Sequence, residues 1–423
     1  MLLIVVDTLR ADRLGAYGST RGLTPFVDSL AERATTFSHA VAACSWTNPS
    51  VASILTSRYQ SQHGIVTFGS ILADAEVTLP EVLQARGYVT GGFTANGLLQ
   101  ERGGYAQGYD YYRAFWSDAT LGVPKFRTEY VNKSIATWLD GLSSEQHTKP
   151  LFLYIQYIDP HLPYNPPPGI LAKVSGGKPP DLRTVNALAG LGILTGDDLS
   201  QFEDVYDAEV MSLDGGVRAL FTDLSERGFL DNALVIFTAD HGEQMMEHGA
   251  VGHGNSLHGE EVHVPLIMLA PGQRSGAVVA EPVSLLDIAP TIVQAAGGSF
   301  PPTFQGHSLL GTATGQPATN ASPVLTQLIV VDESNKPVPR QPGDAVLVGH
   351  TKLFARTDGT EEFYDLTADP TERHPDALAD AQRAVLRKAL QTVRVKAETR
   401  SPFEAPPIDP ATAERMRALG YLK

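Results

Sequence analysis

Short apolar runs alternate with amphipathic stretches along most of the chain. LLIVV (2–6), TTFSHAVA (35–42), YVTGGFTA (88–95), LFLYIQYI (151–158) and ALVIFTA (233–239) read as strands. Between them, TPFVDSLAERA (24–34), PSVASILTS (49–57) and LPEVLQARG (79–87) carry helical spacing. Thr24-Pro25 reads as an N-cap followed by Pro at the first helical position, and Leu79-Pro80 opens a helix that stops at Gly87. Residues 199–228 predict a longer helix, and Asp287 to Ala296 one more. The alternation predicts an α/β doubly wound, mostly parallel sheet with helices on both faces.

Near residue 310 the character changes. GTATGQPATNASP (311–323) reads as a linker or surface loop. VLTQLIVV (324–331), AVLVGHTKLFAR (345–356) and EEFYDL (361–366) then suit a small antiparallel sheet, followed by a helix over 378–397. We therefore expect a catalytic domain over 1–310 and a C-terminal α+β subdomain over 320–423.

Composition narrows the function. With 423 residues and 43% hydrophobic content, the chain can bury a large core. Its 47 acidic and 32 basic residues give a net charge of −15, which argues against a nonspecific grip on nucleic acid or anionic membrane. An anionic small-molecule or head-group substrate stays compatible, because a bound divalent cation reverses the local field. Cys44 is the only cysteine, so no intramolecular disulfide and no cysteine-based zinc knuckle can form. No apolar run reaches the roughly 20 residues of a transmembrane helix. As written the chain is expected to be soluble and unexported, or exported by a signal upstream of Met1; oligomeric state is left open.

Three strands end on metal-type ligands: the first at Asp7, the fourth just before Asp159 and His161, the fifth at Asp240 and His241. Parallel sheets bind ligands at the carboxyl ends of their strands, so these residues can converge. Thr47, in WTNPS just before a helix start, offers a hydroxyl nucleophile or simply a helix cap. FTANG places Asn96 after a strand, where it is either a substrate donor or a turn residue.

VDTLRADRLGAYG, TPFVDSLA, TNPSVASILTS, YIDPHLPY, TADHGEQMMEHG and VHVPLIMLAPG occur in the order seen in sulfatases, and FYDLTADPTERH and MRALGYL extend the agreement to nearly the whole chain. The chain thus resembles the sulfatase branch of the alkaline phosphatase superfamily. The resemblance implies an alkaline-phosphatase-like α/β fold and a metal-dependent ester hydrolase. It also exposes departures. Sulfatases carry a Cys or Ser, matured to formylglycine, in C/S-x-P-S-R; here the segment is TNPSV, with Thr47 and Val51 in the two diagnostic places. Phosphoryl-transferring relatives use an unmodified Thr or Ser.

By that resemblance Asp7, Thr47, Asp240 and His241 are the metal ligands, and Thr47, His161 and His253 the catalytic residues. Asn96, His161 and His253 are the substrate contacts. The Asp-His pair in place of Asp-Asn, and Thr8 where sulfatases often carry a second Asp, shift the preference toward Zn or Mn, with Ca or Mg open. One metal is expected; a second would need Asp159 or His161 together with His253. His63, His248, His258 and His263 are left outside the site. The acidic run YDAEVMSLD (206–214) is read as a solvated face with a packing stripe. Aromatics in YAQGYDYYRAFW (105–116) either line an apolar pocket for an aryl or lipid leaving group or belong to the core, the reading preferred here. The expected reaction is hydrolysis of a phosphate mono- or diester or phosphonate ester through a phosphothreonine. A sulfatase lacking formylglycine, a phosphoryl transferase and an inactive binding protein remain as alternatives.

Overall fold

LLIVV is apolar on both faces because it is buried on both, as a central parallel strand must be. The computed structural model describes residues 1–115, 125–315, 322–330, 340–376 and 378–397. Its main sheet has eight strands: β1 (Leu2–Val6), β2 (Thr35–Phe37), β3 (Val89–Thr94), β4 (Tyr111–Ala114), β5 (Leu151–Tyr157), β6 (Val235–Ala239), β7 (Leu266–Leu269) and β8 (Ala277–Val279). Their order is β8-β2-β7-β6-β1-β5-β3-β4. Among the described residues only β7 runs against its neighbours; the other adjacent pairs are parallel.

Register brings the ligand candidates together. Val6 lies opposite both Tyr157 and Ala239. Asp7 and Asp240 therefore leave adjacent strands side by side, Asp7 N–H donating to Tyr157 O (2.9 Å) and Asp240 N–H to Val6 O (3.2 Å).

The helices relevant here are α1 (Pro25–Ala31), α2 (Thr47–Thr56), α3 (Leu79–Gln84), α4 (Thr128–Asp140), α5 (Asp197–Glu226) and α6 (Ile288–Ala295). Glycine decides one of the sheet contacts. A Cβ on Gly91 of β3 would sit 2.5 Å from the Trp138 ring of α4, so only glycine lets that ring lie on the strand.

The acidic run on α5 departs from expectation. Asp207 and Glu209 are wholly buried and Asp214 nearly so. Each is compensated: Asp207 meets Arg13 and Arg21 (3.4 and 2.7 Å), Glu209 meets Lys125 (2.8 Å), and Asp214 accepts the N–H groups of Phe26 and Val27 at the start of α1. Composition alone reads such a run as solvated, because its cations come from distant sequence. Of the aromatic segment, Tyr105 and Phe115 are buried and Tyr109, Tyr111 and Tyr112 are partly buried against the core, whereas Trp116 lies outside the described residues.

A second, four-stranded antiparallel sheet is built from β9 (Val324–Leu328), β10 (Gly343–Val348), β11 (Thr351–Arg356) and β12 (Glu361–Asp365), in sequence order. Helix α7 (Asp380–Lys396) covers it, and Leu325, Val346, Leu353 and Phe363 pack with Leu386, Leu390 and Val393. Val324 and Leu328 join the main core instead, as the two-residue period of a strand requires. The start of the expected linker is a helical turn, Leu310–Ala313, with Ala313 buried; 316–321 and the terminal MRALGYL lie outside the described residues. Among the described residues no helix is long and apolar enough to cross a membrane.

Candidate active site

Thr47 is the first residue of α2, and the N-cap position belongs to Trp46, whose backbone is extended. The plain capping role therefore does not describe it. Every residue of α2 is buried, which fixes the helix start against the strand ends. One turn along, Ser50 Oγ donates to Asp240 O (2.6 Å), tying α2 to the end of β6.

The Thr47 hydroxyl lies 3.2 Å from His241 Nε2 and accepts from Asn96 Nδ2 at 3.4 Å. Asn96 Nδ2 also donates to Asp7 Oδ2, while its Oδ1 accepts the Leu98 N–H (2.8 Å). Asn96 is thus fastened between Asp7 and Thr47 and is more than a turn residue.

His241 Nδ1 is 2.9 Å from Gly242 O. A carbonyl only accepts, so Nδ1 carries the proton and the neutral ring's lone pair sits on Nε2. That nitrogen faces Thr47, with Asp7 Oδ1 at 3.6 Å and Asp240 Oδ2 at 3.7 Å. Gly242 is required here: a Cβ would come 2.1 Å from Glu260 O. Asp240 is held by the N–H groups of Thr8 and His241 (3.3 and 2.9 Å) and by Gln156 Nε2 (3.0 Å).

Burial lifts Asp7 well above the usual carboxylate range, and the neighbouring Asp240 carboxylate adds to the rise. Burial likewise lifts Asp240 to about 7. Asp7 Oδ1 has no hydrogen-bond partner among the described residues. Asp7, Asp240 and His241 each offer a ligand atom, all within 4.8 Å of one another and all buried. Two carboxylates, an imidazole lone pair and an unsatisfied oxygen make a donor set that a divalent cation fits, since it supplies the missing positive charge.

His248, His258 and Glu260 are spaced similarly. There the chemistry differs. His248 Nδ1 faces Glu260 Oε1 (2.6 Å) and Nε2 faces Glu372 O (2.9 Å), so both nitrogens donate and the ring has no lone pair to give a metal. It stacks on His258 with centroids 3.7 Å apart and planes 4° apart. Its pKa is raised, burial being outweighed by Glu260. This is an ion-pair network linking the loop after β6 to the C-terminal part of the chain.

The fold also brings His161 and His253 to the cluster. The His253 ring centroid lies 4.5 Å from that of His241 and 5.0 Å from that of His161. His253 Nδ1 is 3.1 Å from Glu243 Oε1. His161 is positioned through its backbone: Lys125 Nζ donates to His161 O (3.1 Å) while pairing with Asp159 (3.2 Å) and Glu209 (2.8 Å). Asp159 also accepts the Thr128 N–H (3.2 Å), which commits it to this buried charge network. His63, left outside, bonds Ser53 Oγ (3.0 Å) and the Ile65 N–H (3.2 Å), and burial holds its pKa down at about 3.

Sequence reasoning missed Gln156, Glu243, Ser50 and Lys125. Gln156 had a visible signal, an amide inside an otherwise apolar central strand, and Glu243 follows His241 by two residues. Lys125 had none, since its partners come from the loop after β5 and from α5.

Residues 1–299 match the family model for sulfatases, about seven-tenths of the chain. The chain belongs to the sulfatase family. Residues 247–399 also match the model for the C-terminal part of N-sulphoglucosamine sulphohydrolase. Sulfatase-family relatives include an ulvan-active sulfatase of Formosa agariphila, 24% identical over 406 residues that cover 88% of this chain and 76% of the relative. An arylsulfatase of Clostridium perfringens is 24% identical over 435 residues, covering 88% and 89%. Among solved structures, the phosphonate monoester hydrolase of Agrobacterium radiobacter superposes with a TM-score of 0.77 at 21% identity, covering 94% of this chain and 95% of that one. BT4656, solved with its substrate D-glucosamine-2-N,6-O-disulfate, gives 0.77 at 19% identity, covering 94% and 98%. The fold is alkaline-phosphatase-like, the protein is a hydrolase of sulfuric or phosphoric ester bonds, and enzymes of its family are metal-dependent.

Proposed function

We propose that this sulfatase-family chain hydrolyses phosphate esters, mono- or diesters or phosphonate esters, with Thr47 as nucleophile. The observation that carries the reading is the Thr47 hydroxyl at the start of α2, 3.2 Å from His241 Nε2 and hydrogen-bonded to Asn96, against the Asp7–Asp240 pair. Asp7, Asp240 and His241, with Thr47, would hold one divalent cation, Zn or Mn by the imidazole in the set. That cation would supply charge to acidify the hydroxyl and to neutralise the ester's nonbridging oxygens. The commitment of Asp159 to Lys125 favours one metal over two.

The remaining work falls to the chain. Asn96 holds the Thr47 oxygen in place, and the N–H groups at the start of α2 favour an anion there. The Thr47 oxygen bonds to phosphorus as the ester oxygen leaves, and the displaced proton ends on the leaving alcohol, delivered by His161 or His253. Water then attacks phosphorus in the covalent Thr47 intermediate, returning Thr47 and releasing phosphate from a monoester, a phosphate monoester from a diester, or the phosphonate from a phosphonate ester. The curated relatives favour a second reading, a sulfuric ester hydrolase that works without formylglycine. Metal analysis together with a panel of aryl phosphates, phosphodiesters, phosphonates and sulfates separates the two. The reading expects turnover of phosphorus esters at least ten times that of aryl sulfate, and a loss of about a thousandfold or more in Thr47→Ala. Faster sulfate turnover, or a Thr47→Ala variant near wild-type rate, overturns it.

A further inference from the structure

The Glu243–His253 contact has no counterpart in the site residues read from the sequence. Glu243 is 2% exposed, and its backbone is held on both sides: its N–H donates to Glu260 O (2.9 Å), and its carbonyl accepts Arg10 Nη1 (3.0 Å). Arg10 is itself paired with Asp12 (2.7 Å) and with Glu247. The carboxylate thus stands on a braced backbone segment immediately before the short strand Gln244–Met245. Its Oε1 lies 3.1 Å from His253 Nδ1. The strand residue before His253, Gly252, is in the left-handed region (φ 94°), and a Cβ there would approach Glu243 Oε1 at 3.6 Å. Gln244 and Met245 pair with Gly252 and Val251 in a two-stranded ladder, so the two side chains are registered by backbone hydrogen bonds.

We propose that Glu243 is a positioning residue for His253. A carboxylate accepts, so the contact places a proton on Nδ1 and makes Nε2 the nitrogen that gives or takes the reaction's proton. The same contact sets the ring plane, which stands 4.5 Å from His241 and 5.0 Å from His161. The logic is that of a carboxylate orienting a catalytic imidazole, reached here by a ladder between two short strands. It rests on the proposed function, which gives the proton transfer to His161 or His253, and goes further in assigning it to His253. It adds a distinction between the two rings: His161 Nδ1 faces the neutral Leu162 carbonyl, whereas His253 Nδ1 faces a carboxylate, which favours the protonated imidazole.

The test uses full-length, metal-replete protein in four forms, wild type, Glu243→Ala, His253→Ala and the double variant, with Glu243→Gln as the isosteric control. With an ester of a poor, alkyl leaving group, Glu243→Ala is expected to lower kcat by about 10- to 100-fold with little change in KM. With an activated aryl ester, whose leaving group needs no proton, the loss is expected to shrink to a few-fold. In the His253→Ala background the Glu243 change is expected to cost nothing further. Glu243→Gln, which still accepts from Nδ1 but carries no charge, is expected to fall between wild type and Glu243→Ala. A loss equal for both leaving groups, or one that persists without His253, assigns Glu243 a merely structural role and overturns the proposal.

Nitrogen-15 spectra of the histidine rings read the claim without turnover. In wild type the His253 Nδ1 is expected to be the protonated nitrogen, and in Glu243→Ala that preference is expected to be lost. An unchanged tautomer overturns the positioning role even if the ester reading stands. Conversely, a wild type that turns over no ester defeats that reading, while the spectra still decide what Glu243 does to His253.

Discussion

Asp7→Asn should change stability in opposite directions with and without metal. In the metal-stripped protein, Asp7 and Asp240 are wholly buried carboxylates close to one another, and Asp7 Oδ1 has no hydrogen-bond partner among the described residues. Asparagine removes one charge while its amide oxygen can still accept from Asn96. Relieving an unsatisfied buried acceptor is worth about 1–3 kcal/mol. With a cation at about 1,000 times its Kd, wild type gains about 4.1 kcal/mol from binding, which exceeds that relief, and the variant loses most of it. An unfolding entropy of about 2.1 cal/mol/K per residue gives roughly 0.9 kcal/mol/K for this chain, so the two effects move Tm by about 1–5 °C. The assay is a thermal melt of stripped protein with and without Zn, Mn, Ca or Mg. Wild type should melt below Asp7→Asn when stripped and above it when loaded. An equal metal-induced shift in both proteins would refute the claim that Asp7 is a ligand.

Two further outcomes follow from the buried charges. Lys125→Met leaves Asp159 and Glu209 facing each other without their cation and should cost about 3–5 kcal/mol in denaturant unfolding, part of which Glu209→Gln restores; a neutral Lys125→Met contradicts the triad. His248 has a folded-state pKa above its unfolded value near 6.5, so its stabilisation is complete below that pH and is lost as pH rises through the folded value. The melting difference between wild type and His248→Ala should therefore narrow from pH 6 to pH 9, and a widening gap would refute the doubly donating ring.

Much of this was legible in the sequence. The run LLIVVD and its counterparts announce buried parallel strands, and parallel register then obliges Asp7 and Asp240 to emerge together. What stayed hidden depends on pairing across distance. Glu209 and Asp207 look solvated until Lys125, Arg13 and Arg21 are folded against them. Glu243 looks like any carboxylate in a loop until the short ladder sets it against His253. Gln156, by contrast, was visible as a polar break in β5 and needed only the inference that a buried amide must have a partner.

The central claim is that the Thr47 oxygen makes the bond to phosphorus. The direct measurement is rapid acid quench of metal-replete protein turning over an activated phosphorus ester, followed by mass analysis of the peptide that carries Thr47. The account predicts one phosphoryl group (or the phosphonyl group, from a phosphonate ester) on Thr47, absent from Thr47→Ala. An unmodified Thr47 during steady turnover, with no initial burst of released alcohol, would contradict it.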